Sequence, residues 1–174
     1  MSSARPPRKK SAPPVDGPVE VPASAATGTP AVDTCFLRTL VGYNTRRASL
    51  AIIEVFMERM AVYDLKVVDF SVLSLVAHNP GVTSRELCAT LNVLPPNMVG
   101  LIASLEKRGL IERRPHPSDG RAMGVHLTAA GADLTAQAEE TAAQLEVDAT
   151  ARLTATERKT LIRLLQKIYL PAGA

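Results

Sequence analysis

Tryptophan is absent from this 174-residue chain, and only three Tyr and three Phe are present. A core must therefore be assembled from Leu, Val, Ile and Ala, a composition that suits packed helices better than a barrel or a sandwich. Cysteine is almost absent too. Cys35 and Cys88 stand far apart, which argues against a disulfide framework or a zinc motif and points to a reducing, cytoplasmic setting. Nowhere do apolar residues run for the roughly 20 positions that span a bilayer, so no membrane partner is expected. The first residues are charged and proline-rich rather than apolar, so no export signal is expected either. His78, His116 and His126 lack metal-ligand spacing, and no nucleophile motif, Gly-rich phosphate loop or paired carboxylates stand out. Neither catalysis nor a cofactor is expected.

One absence is local. No Lys or Arg occurs between Ala122 and Ala151, a stretch that carries Asp133, Glu139, Glu140, Glu146 and Asp148. Between Arg85 and Arg121, in contrast, Lys107, Arg108, Arg113 and Arg114 form a basic stretch. One part of the molecule suits a polyanion and another does not, which the net charge of +3 alone would not reveal.

What is present is a chain the size of one domain. Residues 1–31 are rich in Pro, Ser and Ala with Arg5, Arg8, Lys9 and Lys10 near the front, a composition that predicts a disordered tail. It reads either as a solvated leader or as a basic arm adding non-specific DNA affinity. A long helical pattern over 32–62 repeats Leu50, Ile53, Met57 and Met60 on one face, and a second helix spans 65–77 before Asn79-Pro80-Gly81. Thr83-Ser84-Arg85-Glu86 is a capping-box pattern opening a short helix to about Leu91. After Asn92-Val93 another helix begins near Pro96 and runs to Arg108, with Met98, Leu101, Ile102 and Leu105 facing inward. Gly109 suits the left-handed residue that ends a helix, with Leu110 as the following apolar contact. Two short strands, 111–114 and 122–127, flank a turn-rich loop, and helices start at Thr128 and at Thr154, the latter with Glu157 completing a second capping box. Leu161, Leu164, Leu165 and Ile168 mark one stripe of the last helix.

The order α-α-α-α-β-β-α-α is mainly α with a small β-hairpin wing, a winged helix-turn-helix with flanking helices that carry more apolar face than one small domain needs. The major groove admits one α-helix, and the hairpin is narrow enough to carry an Arg into the minor groove. Double-stranded DNA is the expected partner. The expected division is a reading lobe over 63–127, flanked by helices over 32–62 and 128–171.

The segment LEKRGLIERRPHPSDGRAMGVHLTAAG, residues 105–131, resembles the MarR family of winged helix-turn-helix regulators. That family's wing pattern of Arg, four residues, Asp, one residue and Arg is met by Arg114, Asp119 and Arg121, and its Leu-Thr-x-x-Gly by Leu127-Thr128 and Gly131. The resemblance implies that Asp119 orients Arg121, which enters the minor groove. It also implies that 32–62 and 128–171 are flanking dimerisation helices, a homodimer on a pseudo-palindromic operator, a repressor's role, and a small phenolic or aromatic effector. A solvated hairpin, or a winged helix serving only protein–protein contacts, is the plainer alternative.

The recognition helix departs from the family's usual Ser, Thr and Arg: its start reads Leu94-Pro95-Pro96-Asn97-Met98-Val99-Gly100. Pro95 stands where a capping Ser is usual, and Pro96 suits the first helical position. Asn97 is the candidate for bidentate recognition of adenine. Gly100 would allow close approach to DNA. Pro95 and Met98 are candidates for thymine-methyl contact, Met98 being equally readable as core. Ser84, Arg85, Ser104 and Lys107 are candidate phosphate contacts. For an effector, Tyr43 and Arg47 lie i, i+4 on the first helix, where Arg47 is placed to pair with a carboxylate; Phe70 reads as core or as ligand contact. Cys35-Phe36-Leu37 is similar to the peroxide-sensing branch of the family, which makes Cys35 a redox candidate against a structural reading, although the partner tyrosines are missing.

Overall fold

The computed structural model describes residues 32–115 and 122–171, and it divides the first helical pattern in two. Helix α1 (Cys35–Arg38) is short, and α2 (Val41–Met60) follows after a break at Thr39 and Leu40. Side chains make the break. The Thr39 hydroxyl donates to the Phe36 carbonyl at 2.7 Å, and the Asn44 amide donates to the carbonyls of Arg38 and Leu40, both at 2.8 Å. Those carbonyls are satisfied without a continuous helix. A 3₁₀ turn over Ala61–Tyr63 and a left-handed Asp64 (φ 51°) then swing the chain into α3 (Val67–His78).

A two-residue strand, β1 (Val82–Thr83), leads directly into α4 (Ser84–Leu91). Then come α5 (Pro95–Lys107), β2 (Ile111–Pro115), β3 (Met123–Leu127), α6 (Ala129–Ala149) and α7 (Ala155–Tyr169). Both capping boxes form as the spacing predicts. Thr83 Oγ1 accepts the Glu86 N–H at 3.3 Å while the Glu86 carboxylate accepts the Thr83 N–H at 2.8 Å, and Thr154 with Glu157 repeats the pair at the same distances. The hydrogen bonds from Thr154 hold the Glu157 carboxyl below its usual pKa. Their support of α7 is therefore present at neutral pH and is lost as pH falls through that lowered value.

The wing is a three-stranded antiparallel sheet in the order β1-β3-β2, where the sequence pattern predicts two strands. Val82 pairs with Val125 and Thr83 with Gly124, so β1 ties the start of α4 to the hairpin. Ile111 pairs with Leu127 and Pro115 with Met123. The core is aliphatic, as the lack of aromatics requires. Met60, Val72, Leu73, Val76, Leu87, Met98, Leu105 and Leu145 are fully or almost fully buried, and Phe56 meets Phe70 edge-on at 5.6 Å. Of the apolar stripe on the first helix only Met60 is buried, with Phe56 beside it; Leu50, Ile53 and Met57 are exposed. No residue of α7 is buried. Among the described residues, no single helix is long and apolar enough to cross a membrane.

Candidate nucleic-acid interface

The helix-turn-helix is built by two local devices. Asn92, left-handed at φ 52°, ends α4, and its N–H returns to the Cys88 carbonyl. Extended Leu94 then opens α5, accepting from the N–H groups of Asn97 and Met98 at 3.0 and 3.1 Å. This corrects the expected start: Leu94 is the N-cap, and Pro95 and Pro96 are the first two helical residues. A helix leaves its first N–H groups unpaired, so two residues without an N–H cost nothing there.

Met98 and Leu105 are completely buried and Ile102 nearly so, which fixes the rotation of α5 about its axis. Burial removes Met98 from the candidates for base contact. Outward from that stripe stand Pro95, Pro96, Asn97, Val99, Gly100, Ser104 and Lys107, all exposed. A side chain at Gly100 would meet nothing within 4 Å, so the protein's own packing does not ask for glycine there. Two exposed apolar side chains escaped the sequence reading: Leu94 at 69% and Val99 at 60%. The helical period carries a signal for Val99, which lies one residue off the buried stripe. Leu94 has none, because it precedes the helix.

At its far end, α5 is held by its C-cap and by the Leu-Thr-x-x-Gly segment. Gly109, at φ 70°, ends the helix and Leu110 turns inward. The Thr128 hydroxyl donates to the Gly109 carbonyl at 2.6 Å and accepts the Gly131 N–H at 3.0 Å, while the Thr128 N–H reaches the Leu110 carbonyl at 3.1 Å. One threonine thus joins the end of α5, the return of the wing and the start of α6.

The basic stretch is less free than its charge suggests. Arg108 donates to the carbonyls of Asp64 and Tyr63 at 2.8 and 2.9 Å, which pins α5 to the turn after α2. The Tyr63 hydroxyl in turn meets Thr141 Oγ1 on α6 at 2.9 Å. Arg113 forms a two-point pair with Glu106 at 2.5 and 3.3 Å, which pushes the guanidinium pKa up and the carboxyl pKa down. Arg114 pairs with Glu112 on its own strand. Both of these pairs lie at the surface, where an ion pair contributes little and can be traded for a phosphate. Arg85 and Lys107 are exposed on α4 and α5, and Ser84 is half-buried at the first position of α4. Asp119 and Arg121, and with them the wing-tip reading, lie outside the described residues. Between the start of α4, α5 and the sheet runs a mainly apolar groove of about 300 Å³, lined by residues including Arg85, Val99, Arg113 and Met123.

Elsewhere, Tyr43 is half-buried and Arg47 exposed on α2, while Phe70 packs against Phe56. None of the three lines the apolar cleft of about 740 Å³ between α2 and α7, which is formed by side chains such as Val41, Ile52, Leu161 and Ile168. Cys35 is exposed at the start of α1, and Cys88 packs against the core. Ser74, His78 and Glu139 meet, but both donors share one oxygen of Glu139 (2.6 and 3.0 Å). A carboxylate held between serine and histidine ties α3 to α6 and leaves no Ser–His pair to activate a nucleophile.

The sequence model of the MarR family matches residues 63–122, from the last residue of the 3₁₀ turn after α2 to the residue before β3. The multiple antibiotic resistance protein MarR of Escherichia coli is 32% identical over 112 residues, covering 64% of this chain and 78% of that protein. Among solved structures, the transcriptional repressor CouR bound to a 23-mer DNA duplex superposes with a TM-score of 0.74 at 35% identity, covering 79% of this chain and 98% of that one. CouR from Rhodococcus jostii RHA1 bound to p-coumaroyl-CoA gives a TM-score of 0.72 at 27% identity, covering 79% and 97%.

Proposed function

Because the chain belongs to the MarR family of DNA-binding transcriptional regulators, we propose that it acts as a ligand-responsive repressor, binding a pseudo-palindromic operator as a homodimer. The observation that carries the reading is the outward face of α5, positioned by a capped α4 and flanked by a basic hairpin. Residues 63–127 form the reading lobe, and 32–62 with 128–171 the dimerisation helices. The exposed apolar faces of α2 and α7 support that division, since a face of this kind needs a partner. Two-fold symmetry puts half-sites about one helical turn apart. Asn97 is assigned to adenine, Gly100, Pro95 and Pro96 to close approach, and Ser84, Arg85, Ser104, Lys107 and Arg114 to phosphates. Asp119 positions Arg121 for the minor groove.

The effector is an aromatic carboxylate or its CoA thioester, a class suggested by the p-coumaroyl-CoA complex of CouR; Tyr43 and Arg47 are its candidate contacts. The test is a thermal-shift screen of benzoates, hydroxycinnamates and their CoA thioesters, repeated with operator DNA. An effector at about 100 times its Kd stabilises by roughly 2.7 kcal/mol, a Tm rise of roughly 5–11 °C in a chain of this size. Reciprocity requires the same compound to weaken DNA binding. Compounds that shift Tm without releasing DNA, or no shift with any of them, would contradict ligand response.

A further inference from the structure

We propose that the recognition helix reads its operator chiefly through thymine methyl groups, with Leu94 and Val99 as the specificity-determining side chains. The inference rests on the assignment of α5 to the major groove. Met98, Ile102 and Leu105 turn inward and fix the helix's rotation, so the first two turns present Pro95, Pro96, Asn97, Val99 and Gly100, with Leu94 just ahead of them. Asn97 is the one polar side chain on this surface. Base edges in the major groove carry hydrogen-bonding groups that lose water on contact with an apolar surface and gain nothing in return. Thymine is the exception, because its C5 methyl is an apolar group placed at the groove floor. An exposed leucine and an exposed valine therefore complement thymine and reject the polar edges of other bases. Leu94 and Val99 are 69% and 60% exposed, beside a helix whose other large aliphatic side chains face inward.

Charge agrees with the placement. The carboxylate of α5, Glu106, is turned to Arg113, and exposed Arg85 and Lys107 flank the apolar surface on α4 and α5. Phosphates are attracted at the edges while the middle stays apolar. The arrangement supplies affinity from the backbone and discrimination from methyl contacts, with Asn97 adding one hydrogen-bonded base.

Deoxyuridine differs from thymidine only by that methyl, which makes the test direct. Full-length protein is used to select operators from a randomised duplex library, and the selected duplex is resynthesised with deoxyuridine replacing thymidine one position at a time. Burial of a methyl-sized group corresponds to about a fourfold affinity change, so one or two positions per half-site should lose about fourfold, and roughly fifteenfold when both half-sites are altered. In Leu94→Ser and Val99→Thr, changes at exposed positions that leave the core untouched, the thymidine–deoxyuridine ratio at the matching position should collapse towards one. Equal binding of thymidine and deoxyuridine operators overturns the proposal while leaving the DNA-binding role intact. A methyl effect that persists unchanged in both variants also overturns it, since the methyl is then read by other residues. A library that enriches no site overturns the proposal together with the reading beneath it.

Discussion

Gly131→Ala should destabilise the protein by at least about 3 kcal/mol and lower its Tm by roughly 6–12 °C. A Cβ at this position would lie 1.8 Å from the Leu110 carbonyl oxygen and 2.7 Å from its carbon. The contact is with backbone, which has no rotamer to escape into. That same carbonyl accepts the Thr128 N–H, and Gly131 itself donates to Thr128, so relief would pull apart the joint between α5, the wing and α6. DNA affinity should fall further than stability alone explains, because the joint sets the angle between the reading helix and the hairpin. Gly100→Ala is the matched control. Its Cβ meets nothing within 4 Å, and alanine in a helix interior is favoured by up to about 1 kcal/mol, so that variant should be as stable as the parent or more so. Calorimetry of the two variants decides the matter; a wild-type Tm for Gly131→Ala would contradict the packing described.

Leu164→Glu should leave the fold intact, convert the dimer to a monomer and weaken operator binding at least roughly 100-fold. Leu164 is 48% exposed on a helix with no buried residue, and it lines the apolar cleft shared with α2. Folding of the single chain therefore has little stake in it. In a two-fold dimer each substitution enters the interface twice and sets a carboxylate among apolar side chains, at a cost of several kcal/mol. A monomer keeps one half-site and loses the effective concentration that the second supplies. Light scattering coupled to size exclusion, with DNA titration of the same samples, tests both parts. A Leu164→Glu protein that remains dimeric with parental affinity would move the interface elsewhere.

What was legible in the sequence was what is decided locally. Thr83 with Glu86, Thr154 with Glu157 and Gly109 with Leu110 are formed as their spacing predicts, because a cap involves residues three or four apart. Long-range contacts were not. Strand β1 has two residues and exists only because it pairs with Val125 and Gly124, some forty positions on. The break at Thr39 depends on where two polar side chains happen to reach. In the candidate site, the exposure of Asn97 and the burial of Ile102 followed from helical period, whereas Met98 stayed ambiguous until burial placed it inward. Charge counting could not separate Arg108, spent on the Tyr63–Asp64 turn, from Lys107 beside it. A side chain's partner, unlike its period, depends on how distant elements pack.

The central claim is that α5 and the hairpin read DNA sequence. Fluorescence anisotropy of the selected operator and of a scrambled duplex of equal composition, titrated with the full-length protein from low to physiological salt, tests it most directly. Operator binding should be at least about a thousandfold tighter than scrambled at physiological salt, with log affinity falling linearly in log salt for both. Arg121→Ala should lose at least roughly tenfold on the operator. Equal affinity for the two duplexes would contradict sequence reading by this helix and hairpin.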